Sequence, residues 1–196
     1  VFGPAYDGTL FIIKDNNLYY SKPKQPDYFP ELFYIEVSTP QFPLQTGVIN
    51  NGQVYCLSKK DLYYIQGTGD GTFLPFKRDA KTGAQTLRGA VSIPGKGIYH
   101  TGPDGIYLFS NNTDMKMTEQ TLEPIFRGET IEGMAGVDTM ESSWLWAFRN
   151  YLYFGYRSAG QDAPGNILAF NLDTNRLSYY VYNDGADVLI RAIATD

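Results

Sequence analysis

The sequence predicts an all-β protein, a β-propeller built from repeated four-stranded blades. Three observations carry this reading. A hairpin phrase recurs in register, aromatic residues are abundant, and glycine and proline punctuate the chain at short intervals. The 196 residues include 16 Tyr, 12 Phe, 2 Trp, 20 Gly and 11 Pro. Tyr and Phe suit the half-buried, pleated surface of a strand, whereas Gly and Pro end strands and open turns.

The hairpins come first. They read GTLFIIKDNNLYYS from Gly8, GQVYCLSKKDLYYI from Gly52 and KGIYHTGPDGIYLF from Lys96. Leu10, Val54 and Ile98 open the first strand of each copy and lie 44 residues apart. Leu18, Leu62 and Ile106 open the second strand, each eight residues after its partner. The turns between them, KDNN, SKKD and TGPDG, are rich in turn formers. A fourth copy begins at Tyr151-Leu152-Tyr153-Phe154 and returns at Asn166–Phe170, with the longer loop Ser158–Gly165 between. Insertions within repeats usually fall in loops on one face.

Flanking strands complete each unit. Segments 45–50, 87–93 and 132–138 precede the later hairpins, and 32–38, 73–78 and 177–183 follow the first, second and fourth. About four strands in about 44 residues is the period of a propeller blade. A sandwich also spaces short strands regularly, but has no reason to repeat its hairpins in register. The expected blades span approximately 1–44, 45–86, 87–131 and 132–187, within one propeller or propeller fragment covering 1–196. The final stretch, 188–196, matches the opening strand RGAVSI and reads as a strand of a further or closing blade. Because the chain opens Val1-Phe2-Gly3-Pro4 without Met, it reads as a fragment or processed product.

One segment breaks the β pattern. Residues 118–127 predict a short helix bridging or plugging between blades. Thr118 is the expected N-cap, Glu119 suits the first turn, and Leu122, Ile125 and Phe126 fall at helical spacing. Pro124 should limit or kink it.

Composition also narrows function. A formal charge of −5 and a pI near 4.9 argue against a protein that grips nucleic acid by neutralising phosphates. The single cysteine, Cys56, precludes an internal disulfide and is compatible with assembly in the cytosol. No apolar run approaches the roughly eighteen residues of a membrane-spanning helix, so no membrane anchor is expected.

Residues able to carry catalysis are sparse, and no catalytic, cofactor-binding or metal site is expected. His100 is the only histidine, so no two-histidine metal motif can form. Cys56 stands at its equivalent place in the second hairpin, as Ile12 does in the first, which marks a small core position. GTGDGTF (67–73) lacks the ligand spacing of a calcium loop and the Gly-Lys-Ser/Thr of a phosphate loop, and reads as a tight turn, as do TGPDG and the acids Asp184 and Asp187. Trp144 and Trp146 are two apart and share one face of a strand. With Tyr151 and Tyr153 they form the candidate interaction surface.

The residues resemble a known family. YDGTLFIIKDNNLYYSKPKQPDYFP (Tyr6–Pro30) resembles the propeller repeats of short-tailed bacteriophage tail proteins: the tail nozzle, or tail tubular protein B, and the related packaged-DNA stabilisation proteins. KKDLYYIQGTGDGTFLPF (Lys59–Phe76), GPDGIYLFS with the following LEPIF, and GNILAFNLDTNRLSYY (Gly165–Tyr180) look like further blades of those proteins. The resemblance covers most of the chain and is one of pattern; the chain is much shorter than such proteins and lacks their platform and fibre-docking regions. It implies a virion structural protein of the tail, assembled in the host cytoplasm with other copies of itself and other tail proteins. DNA would pass through without specific binding, and an acidic lumen would let it slide.

Two other functions remain in view. A binding module would hold a glycan or peptide through Trp144, Trp146 and the nearby tyrosines. A hydrolase would need paired carboxylates at the channel mouth, for which Asp138 and Glu141 are the nearest residues.

Overall fold

A computed structural model describes residues 1–68, 72–118 and 122–181. They form four antiparallel four-stranded sheets, each with its strands in sequence order. Blade one comprises β1 (Phe2–Ala5), β2 (Thr9–Lys14), β3 (Asn17–Tyr20) and β4 (Tyr34–Glu36). Blade two comprises β5 (Leu44–Asn50), β6 (Gln53–Ser58), β7 (Leu62–Gln66) and β8 (Leu74–Lys77). Blade three comprises β9 (Ala90–Ile93), β10 (Gly97–Gly102), β11 (Gly105–Ser110) and β12 (Thr113–Lys116). Blade four comprises β13 (Trp144–Phe148), β14 (Tyr151–Tyr156), β15 (Asn166–Asn171) and β16 (Arg176–Val181). The fold is all-β, and the four sheets fit a propeller arrangement.

The repeat seen in the sequence is kept residue by residue. Strands β2, β6 and β10 occupy positions 9–14, 53–58 and 97–102, each displaced by the same 44 residues. Along each strand the side chains alternate between faces, so two apolar surfaces per blade must be buried. They are buried wherever a neighbouring blade faces them. One core lies between blades one and two, a second between two and three, and a third between three and four. Each fully buried large apolar side chain contributes about 1.5–3 kcal/mol, so a blade has little reason to stand alone.

The first strands come together at the axis. β1 touches β5, β5 touches β9 and β9 touches β13, but no contact of that extent returns from β13 to β1 among the described residues. Among the described residues the blades form an arc that is not closed.

Three expectations need correction. Segment 132–138 is not a strand. Glu132 and Gly133 have φ of 49° and 82°, which turns the chain, and Ile131 and Met134 make only an isolated bridge. The first strand of blade four is β13, reached through a single 3-10 turn at Met140–Ser142. The helix α1 is shorter than expected, Glu123–Phe126, and begins at Leu122 without a side-chain cap. The Thr118 hydroxyl instead accepts a hydrogen bond from the Ile106 N–H at 3.2 Å. Pro124, expected to limit or kink the helix, sits in the first turn of this short α1, where its missing N–H is not needed. As expected of a plug, α1 buries Ile125 and Phe126 in the core between blades three and four. The segment 188–196, together with Glu119, Asp184 and Asp187, lies outside the described residues.

Candidate functional site

Each blade has an upstream face, toward the preceding blade, and a downstream face, toward the following one. Strand pairing fixes which residues share a face. Phe11 lies opposite Tyr20 and Ile13 opposite Leu18, which makes the downstream face of blade one. It packs on Val54, Cys56 and Ile65 of blade two. Val48, Tyr55, Leu57 and Leu62 of blade two then pack on Ile98 and Phe109 of blade three. Tyr99 and Ile106 of blade three pack on Leu145, Leu152 and Phe154 of blade four.

Two surfaces have no such neighbour among the described residues. One is the upstream face of blade one, carrying Leu10, Ile12, Tyr19 and Tyr34. The counterparts of Leu10 are Val54, Ile98 and Leu152, all 0 % exposed, whereas Leu10 itself is only half-buried. Ile12 is half-buried, while Cys56, His100 and Phe154 at the same position are 0 % exposed. Tyr34 is exposed, and its ring lies 5.3 Å from that of Tyr19.

The other is the downstream face of blade four, and all four candidate residues fall on it. Trp144 pairs across the sheet with Gly155, Trp146 with Tyr153, and Phe148 with Tyr151. The Trp144 indole lies flat on the sheet. A Cβ at position 155 would sit 2.0 Å from Trp144 Cε2, so only glycine admits the ring. Trp144 is buried and is not a free stacking platform. Trp146 is half-buried, and its indole Nε1 is buried without a hydrogen-bond partner among the described residues. Tyr151 is exposed and stacks on half-buried Tyr153 with ring centres 6.0 Å apart. Tyr180, opposite Ile167 on the same face, is exposed. Partial burial, then the neighbouring phenols of Tyr180 and Tyr151, raise the Tyr153 phenol above its ordinary range.

An axial cavity of about 620 Å³ lies among the first strands. Phe2, Thr46, Gly47, Val91, Leu145 and Trp146 are among the residues that line it. Its charged lining residues are Asp15 and Arg88, one of each sign. The charges on this wall therefore balance.

The remaining polar candidates are held in structural roles. His100 is fully buried. Its Nδ1 donates to the Gly83 carbonyl at 3.1 Å, and its Nε2 lies 3.0 Å from Asp114 Oδ1. Asp114 Oδ2 accepts the Lys81 N–H at 2.8 Å. Together they pin the 81–83 connector between blades two and three to the face of blade three. Sequence spacing gave no sign of this bracket, because Asp114 lies on β12, a short polar strand with only Met115 to mark it. The Cys56 thiol is fully buried, and burial pushes its pKa up, so it is a poor nucleophile. Asp138 is paired with Arg157, and Glu141 with Lys59 at 2.7 Å. The two carboxylates are thus held by separate cations and do not form an acid–base pair.

No protein-family model matches this chain, and no curated protein matches it.

Proposed function

We propose that this chain is a structural component that works by assembly, a propeller part of a short bacteriophage tail at the DNA conduit. On this reading it has no enzymatic activity, resides in the virion tail, and contacts other copies and other tail proteins. One observation carries the assembly reading. The open arc ends in two sheet faces carrying Leu10, Ile12 and Tyr153, residues whose equivalents in the other blades are buried. Surfaces of that kind mark interaction sites. The tail assignment comes from the sequence resemblance. Light scattering combined with negative-stain imaging tests the proposal: rings or larger particles are expected, and a compact monomer at all concentrations would overturn it.

A second reading, a binding module for a glycan or peptide, is favoured by one feature. Trp146 borders the axial cavity and carries an indole N–H with no partner among the described residues, and a buried indole N–H usually finds one. A glycan array comparing wild type with Trp146→Ala separates the two readings. Binding that disappears in the variant supports the module.

A further inference from the structure

We infer that the downstream face of blade four and the upstream face of blade one are two halves of one further interface, and that a second copy of this chain supplies the missing half. The inference deepens the assembly reading and rests on it. Each of the three internal interfaces joins the downstream face of one blade to the upstream face of the next, and none joins like faces. The position occupied by Phe11, Tyr55 and Tyr99 on the downstream faces is 0, 9 and 3 % exposed, and each time it shares a core with the next aliphatic residue of the Leu10 series, Val54, Ile98 or Leu152. Tyr153 holds that position in blade four and is left half-buried. Leu10 and Ile12 hold the matching upstream position in blade one and are also left half-buried.

The chain therefore displays both halves of an interface that it builds three times internally. Its two halves do not join among the described residues, where β13 and β1 make no contact as extensive as those between successive first strands. Matching between copies is head-to-tail, a heterologous contact. It closes into a ring when the rotation permits and extends otherwise. The end faces also have suitable chemistry. The Tyr19–Tyr34 and Tyr151–Tyr153 ring pairs offer large contact area with polar tips, as in interfaces that meet water before assembly.

The test uses two single-cysteine additions to the full chain, Leu10→Cys and Tyr153→Cys, treated with a bis-maleimide crosslinker that spans the roughly 10 Å between facing sheets. Cys56 is fully buried and does not compete. Both substituted sites are half-buried, and an unchanged thermal midpoint in reducing buffer verifies that each variant folds. We expect a crosslinked dimer only when the two variants are mixed, and none from either alone. Dimers from one variant alone mean a like-face contact and overturn the inference. Wild-type oligomers without the mixed crosslink also overturn it, while leaving the assembly reading intact. A monomer that never crosslinks overturns both. As a second readout, Tyr153→Arg should weaken self-association at least tenfold with the thermal midpoint of the dilute protein unchanged; unaltered association would count against the inference.

Discussion

One structural position, seen four times, separates the interior of this molecule from its edge. Ile12, Cys56, His100 and Phe154 occupy the same place on the upstream faces of blades one to four. Three of them are fully buried, and Ile12 is not. The backbone there is the same; what differs is whether another blade lies in front. The comparison teaches that burial in this fold is conferred by the neighbour and not by the blade. It also explains why this position holds a thiol, an imidazole and a phenyl ring in blades two to four: each is fitted to what packs in front of it. Substitutions at this one position should therefore have effects graded by what the neighbour supplies.

The largest effect is expected at Phe154. Its ring packs against Phe126 and Tyr156, with centroids 5.3 Å away in both cases, in the core that joins blades three and four. Phe154→Ala should destabilise the fold by about 3–5 kcal/mol, from lost burial and the cavity left behind. Urea unfolding followed by tryptophan fluorescence measures it, and a loss below about 1 kcal/mol would break the comparison.

His100 comes next. His100→Leu leaves Asp114 with its side chain 1 % exposed and its histidine partner gone. Removing one member of such a buried pair should cost about 3 kcal/mol. Adding Asp114→Asn removes the stranded charge and keeps an acceptor for the Lys81 N–H. The double variant should recover part of the loss in the same unfolding assay. If it is less stable than His100→Leu alone, the bracket does not work as described.

Cys56 has an apolar setting and no polar partner among the described residues. Cys56→Ser should cost about 1–3 kcal/mol by burying an unpaired hydroxyl, whereas Cys56→Ala should cost less. A Ser variant as stable as wild type would mean that water reaches the core between blades one and two.

The sequence was most legible where the repeat was strictest. Leu18 and Tyr20 face one way and Tyr19 the other, as alternation requires, and both turn residues and hairpin spacing could be read directly. Legibility failed where the pattern became polar or was interrupted. Strand β12 offers TDMK, with a single apolar residue, and no strand was read there; the structure turns into it through Asn111-Asn112, both at positive φ. Segment 132–138 contains Val and Met at plausible spacing, but its glycines serve a tight loop: Gly136 lies against the Gly128 backbone, where a Cβ would come within 2.1 Å of Gly128 C. The candidate residues Trp144, Trp146, Tyr151 and Tyr153 could be placed on one face from alternation and hairpin pairing. That Trp144 lies flat under cover while Tyr151 stands exposed could not, because this depends on Gly155 opposite one and Phe148 opposite the other.

Tyr6 tests the joint between blades one and two. Its hydroxyl donates to the Ile65 carbonyl at 2.5 Å and lies 3.4 Å from the Val54 N–H. Burial pushes its phenol up to about 12 from the ordinary 10.0, against the lowering effect of the Val54 N–H. Folding thus favours the neutral phenol. Its contribution is complete below pH 10 and is lost as pH rises toward 12. Tyr6→Phe should cost about 1 kcal/mol at neutral pH and flatten the stability profile between those two values. An alkaline decline identical to wild type would place the responsible group elsewhere.

The smallest effect is expected at the edge. Ile12→Ala removes a side chain with no blade in front of it among the described residues, so a dilute solution should show a loss under about 1 kcal/mol, close to that of surface substitutions. This is the same position at which Phe154→Ala should lose several times more. Concentration then separates an edge that stays bare from one that acquires a neighbour. Binding that favours the folded state raises the melting temperature with protein concentration. If a second copy covers Ile12, wild type should melt higher when concentrated, and Ile12→Ala should lose most of that dependence while keeping its dilute melting temperature. A dependence that survives the substitution means copies associate through another surface. A melting temperature independent of concentration in both proteins means the edge stays bare, and Ile12 would then be the ordinary surface residue that its exposure describes.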